Sequence, residues 1–181
     1  MRITGGALGG RHLVAPAGQG TRPTTDKVRQ AIFNLLGAPP EGAHVLDLFA
    51  GSGALGLEAL ARGAARATLV ERARPALASL HKNVLALGLG ERVRVVPADV
   101  LVTLPRLVGP FHWVFLDPPY DAGVLERALG ALSAAQVAEG GVVVAEHDRR
   151  SPPAPSCGIL ALEDRRRYGE TELSLYCART P

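Results

Sequence analysis

The sequence predicts an α/β fold in which a mainly parallel sheet carries helices on both of its faces. Short apolar runs of strand length alternate with helix-length segments between residues 44 and 147. The apolar runs are nearly continuous, as expected for parallel strands that are buried on both faces. The last two runs, 158–165 and 170–178, instead alternate polar and apolar residues around a turn. That pattern predicts an antiparallel hairpin at the end of the sheet.

The individual elements follow from the same periodicity. Strands are predicted at 44–49, 67–71, 92–96, 112–117 and 140–147. Helices are predicted at 53–63, 75–88, 100–107 and 123–137. Gly63 and Gly88 are suited to end the first two of these helices, because glycine readily adopts the left-handed conformation found after a helix.

A separate N-terminal block precedes this alternation. The strand-like runs 2–5 and 11–14 flank a glycine-rich turn and predict a β-hairpin. A helix is predicted at 25–36, with Thr24 or Thr25 as its N-cap. We therefore expect an N-terminal extension over residues 1–40 and a main domain over 41–181.

Composition narrows the class of protein. The chain has 181 residues, of which 47% are hydrophobic and 20% charged, which fits one folded domain with a small appendage and excludes general disorder. No apolar run reaches the roughly 18 residues of a membrane span, and the first residues lack the apolar core of a secretory signal. Cys157 and Cys177 are too few and too far apart for a disulfide scaffold or a zinc site. We expect a cytoplasmic protein without a metal centre.

The positive charge is concentrated near the N-terminus. The net charge of the whole chain is +3, whereas residues 1–40 hold five basic residues and one acid, a local balance of +4. The residues concerned are Arg2, Arg11, Arg22, Lys27 and Arg29, with Asp26 as the acid. A basic leading segment fits a polyanionic partner such as nucleic acid. An ordinary solvated surface fits the same charges.

A glycine loop follows the first strand of the α/β alternation. Gly51, Gly53 and Gly56 form a G-x-G-x-x-G pattern, and Glu71 ends the next strand. This is the fingerprint of a dinucleotide site, in which the acid accepts hydrogen bonds from ribose hydroxyls. Ser52 lies within the loop, and Asp99 follows the third strand, where it can accept from an adenine amino group or cap the next helix.

Asp47 distinguishes between two ligands for this loop. NAD would bring a doubly anionic pyrophosphate close to the Asp47 carboxylate, which is unfavourable. S-adenosylmethionine carries an ammonium and a sulfonium, and opposite charges about 4 Å apart gain roughly 4 kcal/mol at an effective dielectric constant near 20. The sequence favours S-adenosylmethionine, while a role for Asp47 in capping the loop stays open.

The fourth strand runs into Asp117-Pro118-Pro119-Tyr120. Two prolines make this turn stiff, and it lies at the carboxyl edge of the sheet, where open α/β folds bind ligands. The Asp117 carboxylate and the Pro118 carbonyl can both accept hydrogen bonds from a planar amine, and Tyr120 can stack on a base. The turn therefore predicts methyl transfer to an exocyclic amine, helped mainly by proximity and electrostatics.

These motifs together resemble the RsmD family of bacterial methyltransferases, which act on a guanine N2 in small-subunit (16S) ribosomal RNA. The resemblance extends from the RITGG start through residues 21–36 and 47–60 to YGETELSLY at 168–176. It implies a class I, Rossmann-like methyltransferase with a seven-stranded mixed sheet, an antiparallel last hairpin and an N-terminal hairpin and helix. It also implies that small-subunit RNA, in a partly assembled particle, is the partner of a monomeric enzyme.

The resemblance assigns roles to the candidate residues. It implies cofactor contacts from Asp47, Gly51, Gly53, Glu71 and Asp99, and target-amine contacts from Asp117 to Tyr120. It places Arg22, Thr24, Thr25 and Asp26 over the active site, and we expect Arg2, Arg11 and Arg29 to join them on the RNA side.

Four other functions fit these residues less well. DNA adenine-N6 methylation uses the same turn, but no segment is large enough to read duplex DNA. Glutamine methylation usually has Asn where this chain has Asp117. Asp47 disfavours an NAD-dependent oxidoreductase, and a non-catalytic RNA-binding module would not need an intact cofactor loop.

Overall fold

The computed structural model describes residues 1–16, 25–119 and 123–179. The strands are β1 (His44–Leu48), β2 (Arg66–Glu71), β3 (Val93–Pro97), β4 (Phe111–Leu116), β5 (Val137–Asp148), β6 (Ser156–Cys157), β7 (Leu160–Tyr168) and β8 (Thr171–Ala178). The helices are α1 (Asp26–Leu36), α2 (Ala54–Ala61), α3 (Arg74–Ala86), α4 (Val100–Thr103) and α5 (Val124–Ala131).

All the strands belong to one sheet, in the order β3-β2-β1-β4-β5-β8-β7-β6. Strands β1 to β5 are parallel to one another, and β8 lies antiparallel between β5 and β7. This confirms the predicted parallel sheet with an antiparallel final hairpin. The described part of the sheet has eight strands rather than seven, because Ser156 and Cys157 add a two-residue strand against Leu160 and Ala161.

The sheet has a buried core on each face. One core contains apolar residues of α1, α2 and α3 together with Phe115 of β4 and Val144 of β5. The other contains residues of α4 and α5 together with Leu116 of β4 and Ala145 of β5. Because neighbouring residues of one strand face opposite sides, these two clusters identify which face each strand residue occupies. This confirms the prediction that helices cover both faces of the sheet.

The predicted helix 123–137 is too long. Helix α5 ends at Ala131, because the backbone at Leu132 turns to an extended conformation. The Gln136 side chain then accepts hydrogen bonds from the Ser133 amide and hydroxyl and donates to the Leu107 carbonyl, which closes a turn before β5. Apolar spacing alone did not reveal this side-chain turn. The predicted helix 100–107 is likewise divided into α4 and a 3₁₀ turn at Leu104–Arg106.

The predicted N-terminal β-hairpin is present in a shorter form than expected. Its two arms pair at one antiparallel β-bridge between Arg2 and His12, with the Ile3 and Leu13 amides donating to the Arg11 and Met1 carbonyls, around a 3₁₀ turn at Gly6–Leu8. The ladder ends there because the Arg11 amide donates to the Leu8 carbonyl of the turn. The Thr4 amide points away from the opposite arm and donates to the Glu58 carboxylate of α2, at 2.7 Å. Ile3 and Leu13 are buried in the core cluster of the main domain. The block is therefore packed onto the domain by its side chains.

Within the described ranges, no helix combines the length and the apolar character needed to cross a lipid bilayer.

Candidate active site

Three acidic residues converge at the carboxyl edge of the sheet, on strands β2, β1 and β4. Asp47 pairs in register with Phe115 of β4, and Asp117 follows that strand directly, beside the end of β1. Asp47 also pairs with Leu69, two residues before Glu71 on β2. Phe115 and Leu69 belong to the same core cluster, so by alternation all three carboxylates lie on the face covered by α1, α2 and α3.

Asp47 is the most buried of these acids. Its side chain is 2% exposed, and its Oδ2 accepts a hydrogen bond of 2.9 Å from the Gly56 amide in the first turn of α2. Burial raises the pKa of Asp47 to about 7, and the negative charges of Asp117 and Glu71 add to that rise against the opposing Gly56 hydrogen bond. Negative charge is therefore costly here, and a cation placed beside these acids would be stabilised.

Glu71 organises the glycine loop and the start of α3. One carboxylate oxygen accepts from the Gly51 amide at 2.8 Å, and the other accepts from the amides of Arg72 and Ala73. A carboxylate has about four lone-pair sites, so it can accept a further hydroxyl donor. The predicted role in ribose binding stays a prediction, and the structure adds a role in holding the loop.

The three loop glycines serve different purposes. A side chain at Gly53 would place its Cβ 2.3 Å from Leu80, and one at Gly56 would place it 2.2 Å from Leu69. These two positions therefore need glycine because the protein packs against itself. Gly51 has φ +57°, and a Cβ there would meet nothing within 4 Å. Gly51 borders open space beside Glu71, where a ligand can approach the backbone.

Asp99 caps the short helix α4. Its Oδ1 accepts from the Leu101 and Val102 amides, and its Oδ2 pairs with the exposed Arg72 guanidinium at 2.8 Å. The capping role considered for this residue is confirmed. Its contact with an adenine amino group stays a prediction, which requires the exposed Arg72 to share or release Oδ2.

The turn after β4 is described as far as Pro119. Asp117 and Pro118 are half-buried and Pro119 is exposed at the carboxyl edge. Tyr120 lies outside the described residues, as do Arg22 and Thr24. Asp117 is close enough to Asp47 for its negative charge to contribute to the raised pKa of Asp47.

The prediction that Arg29 faces RNA is wrong. Its side chain is 0% exposed and pairs with Glu58 and Asp26, at 3.3 and 2.8 Å. It also donates to the Arg2 carbonyl. A fully buried guanidinium has no surface to offer a phosphate, so Arg29 fixes α1 and the N-terminal arm onto α2. The positive charge count could not reveal this, because it does not distinguish paired from solvated arginines.

The other described N-terminal candidates lie nearer to solvent. Arg2 and Arg11 are exposed, whereas Asp26 is partly exposed and engaged by Arg29. Thr25 is the N-cap of α1, because its Oγ1 accepts from the Val28 amide. Their contacts with RNA remain predictions.

A cavity of about 380 Å³ opens between the first turn of α1, the end of β5 and the β7–β8 turn. Its walls include Thr25, Lys27, Glu146, Tyr168 and Thr171. Sequence reasoning missed Glu146, which is 9% exposed. The sequence did contain an indication of this residue. An acid follows the apolar residues of VVVAEH, as Asp47 interrupts those of HVLDLF.

The donor set fits S-adenosylmethionine better than a dinucleotide or a metal. Acids surround the loop, and Gly51 provides the open approach beside Glu71. In the part of the chain that the structure describes, no group of three or more His, Cys, Asp or Glu side chains is arranged to hold a metal ion. Asp47 and Glu71 would face the cationic and ribosyl parts of the ligand, respectively.

Comparison with known proteins decides the family. A family model described as "Conserved hypothetical protein 95" matches residues 1–177. The chain is 46% identical to "Ribosomal RNA small subunit methyltransferase D" of Escherichia coli K12, over 73% of this chain and 66% of that enzyme. It is 39% identical to the protein YlbH of Bacillus subtilis 168, over 99% of this chain and 100% of that protein.

The chain belongs to the RsmD family.

The solved structures agree with this membership. The structure of the Escherichia coli protein yhhF superimposes with a TM-score of 0.87 at 36% identity, covering 100% of this chain and 99% of that one. The predicted class I methyltransferase fold is thereby confirmed for this RsmD-family chain. The family match begins at residue 1, so the N-terminal block is part of the RsmD pattern.

Proposed function

We propose that this RsmD-family methyltransferase transfers the methyl group of S-adenosylmethionine to the exocyclic N2 of a guanine in small-subunit ribosomal RNA. The observation that carries the proposal is the convergence of Asp47, Glu71 and Asp117 on one face of the carboxyl edge. An acid-lined site suits a cationic methyl donor and repels a pyrophosphate. The names of the relatives support the RNA substrate.

The residues of this chain have separable tasks in that reaction. When bound, S-adenosylmethionine supplies a methyl group activated by a positively charged sulfur, so the protein needs neither a metal nor a covalent nucleophile. Glu71 and Asp99 hold the ribosyl and adenine ends, and Asp47 stabilises the positive charge. Asp117 and the Pro118 carbonyl hold the target amine.

The amine needs this help because its lone pair is delocalised into the purine ring. Two acceptors outside the ring plane favour a pyramidal nitrogen and direct its lone pair towards the donor side of the site. The nitrogen gains the methyl group and loses one proton, which either Asp117 or solvent accepts. Tyr120 is expected to stack on the base.

We further propose that residues 1–40 cover the active site and contact RNA, while 41–181 form the methyltransferase domain. Arg2, Arg11, Arg22, Thr24, Thr25 and Asp26 are the expected contacts. The substrate is expected to be RNA in a partly assembled particle, and the enzyme a cytoplasmic monomer.

Methylation of adenine N6 in DNA is the alternative. The Asp117 turn suits either amine, and the family relationship favours RNA. Tritium from labelled S-adenosylmethionine should appear in small-subunit RNA from a strain that lacks this protein, and the labelled base should be N2-methylguanine. Label on adenine, or calorimetry showing that NAD binds and S-adenosylmethionine does not, would overturn the proposal.

A further inference from the structure

The cavity lined by Glu146 has the character of a nucleotide pocket. Its volume of about 380 Å³ lies within the range of roughly 300–1,000 Å³ that is usual for small-molecule sites. The walls combine a buried acid, Glu146, with two basic residues, Lys27 and Arg167, and one aromatic ring, Tyr168. The established motifs of the chain do not use this cavity.

Glu146 lies directly beside Asp117. Strands β4 and β5 are parallel, and Leu116 pairs in register with Ala145. Asp117 directly follows β4 and Glu146 is the next residue of β5, so a continuation of this register puts their backbones about 4.8 Å apart across the sheet. Phe115 and Val144 belong to the core cluster under α1, so alternation puts Asp117 and Glu146 on that same face. Glu146 on the cavity wall is therefore adjacent to the turn that is proposed to hold the target amine.

Guanine and adenine differ at the ring nitrogen next to their amino group. In guanine N1 carries a hydrogen and donates, whereas in adenine N1 has a lone pair and accepts. In both bases N1 and the amino nitrogen are bonded to one shared carbon. A group beside the amine-binding turn on the N1 side of the base therefore meets N1, and its chemistry decides which base is accepted. A carboxylate pairs with the N1–H of guanine and repels the N1 lone pair of adenine.

We infer that this cavity receives the target base and that Glu146 selects guanine by accepting a hydrogen bond from N1–H. This inference rests on the proposed methyl transfer and adds the residue that determines base specificity. Lys27 and Arg167 lie on the cavity wall where they can neutralise the phosphates that flank the base. Tyr168 offers a ring against which the base can pack.

The first test changes the charge of Glu146 and keeps its shape. Particles are reconstituted with either guanine or adenine at the nucleotide that the wild-type enzyme labels, and tritium transfer gives kcat/KM for each. In Glu146→Gln the amide can donate to adenine N1, so we expect the guanine-to-adenine ratio to fall at least ten-fold. Binding of S-adenosylhomocysteine should stay within two-fold of wild type. The exposed Glu163→Gln on β7 is the matched control and should leave the ratio unchanged.

A second test changes the substrate and leaves the protein intact. RNA with 1-deazaguanine at the target carries C–H where guanine has N1–H, and the wild-type enzyme should methylate it 10- to 100-fold less well. This measurement applies even where a Glu146 variant fails to fold. An unchanged ratio in Glu146→Gln, or full activity on 1-deazaguanine, overturns the inference. Wild-type enzyme that labels no small-subunit RNA at all instead overturns the proposed function.

Discussion

Arg29 and Glu58 form an ion pair in which both side chains are 0% exposed, with Nε and Oε2 3.3 Å apart. Glu58 also accepts from Thr4 and from Arg62, so one carboxylate ties together the N-terminal arm, α1 and α2. Buried pairs of this kind contribute little net stability compared with apolar residues, but removal of one partner leaves the other charge unpaired in the core. The pair therefore makes the position of the N-terminal block depend on α2.

Glu58→Gln should lower the free energy of unfolding by about 3–5 kcal/mol, because Arg29 would stay buried without its full counter-charge. Urea unfolding followed by circular dichroism measures this directly. Arg166→Met is the control, since it removes a solvent-exposed ion pair with Asp164 and should cost less than about 1 kcal/mol. Equal losses in the two variants would contradict the role assigned to the buried pair.

Asp47 should give the protein a pH-dependent stability. Its pKa rises from 3.8 when exposed to about 7 in the fold. The folded state thus holds a proton that the unfolded chain releases between these values. A raised pKa adds stability that is fully present below about pH 4 and lost as the pH rises through about 7, by an upper value of about 4 kcal/mol.

Asp47→Asn should remove this dependence, because asparagine does not titrate and can still accept from Gly56. Urea unfolding at pH 5 and pH 8 should show the variant gaining stability relative to wild type at the higher pH. The exposed Asp164→Asn serves as the control. Parallel pH profiles for wild type and Asp47→Asn would mean that Asp47 is not titrating in this range.

Gly51→Ala and Gly53→Ala should separate ligand binding from folding. Gly51→Ala costs about 1 kcal/mol for its positive φ and adds a methyl group to the open space beside Glu71, so S-adenosylmethionine binding should weaken more than stability. Gly53→Ala collides with Leu80 and should mainly lower the melting temperature. Calorimetric titration and thermal unfolding of both variants measure the two effects. The assignment fails if Gly51→Ala binds the ligand like wild type.

Glu71→Ala should weaken S-adenosylmethionine binding about 10- to 100-fold, the loss expected when hydroxyl donors and the Gly51 amide lose a partly buried acceptor. Calorimetry gives the dissociation constant. Glu91→Ala, an exposed acid after α3, is the control and should bind normally. Affinity that is equal in Glu71→Ala and wild type would argue against the ribose contact.

Asp117→Asn should reduce methyl transfer at least 100-fold while cofactor affinity changes only a few-fold, because the residue holds the amine and not the donor. The same change should lower the pKa of Asp47, since the charge of Asp117 helps to raise it. Tritium transfer and the pH dependence of unfolding measure the two consequences. A variant with full transfer activity would remove Asp117 from the reaction.

The strands and the position of the site were predictable because both depend on local patterns. Continuous apolar runs identified the buried strands, and the acid at Asp47 was informative because a carboxylate in an apolar strand needs a partner. Tertiary partners were not predictable in this way. Arg29 could not be recognised as buried without its distant partner Glu58, and the bonds from the Thr4 amide and hydroxyl to that same carboxylate were equally hidden.

Glu146 illustrates the same limit at the site. The sequence shows that Glu146 is an acid near the end of a predicted strand. Its place beside Asp117 was not predictable, because it depends on β5 being the neighbour of β4 in the sheet. The glycine loop was recognised correctly, while the reason for glycine at 53 and 56 depends on leucines from α3 and β2. The position of a residue at a strand end can therefore be predicted from the sequence more reliably than the atoms that it contacts.

Among the described residues, the outer edge of strand β7 is paired near its start, where Leu160 and Ala161 pair with β6 and the Leu162 amide donates to the Pro155 carbonyl. Along the remainder, Asp164, Arg165, Arg166 and Arg167 carry charge beside the open backbone groups. Pairing of this edge with a strand of a second molecule would require desolvation of the guanidinium groups. That cost disfavours edge-to-edge aggregation. Replacing Arg165 and Arg166 with threonine or valine would therefore endanger solubility during expression before it affected the reaction.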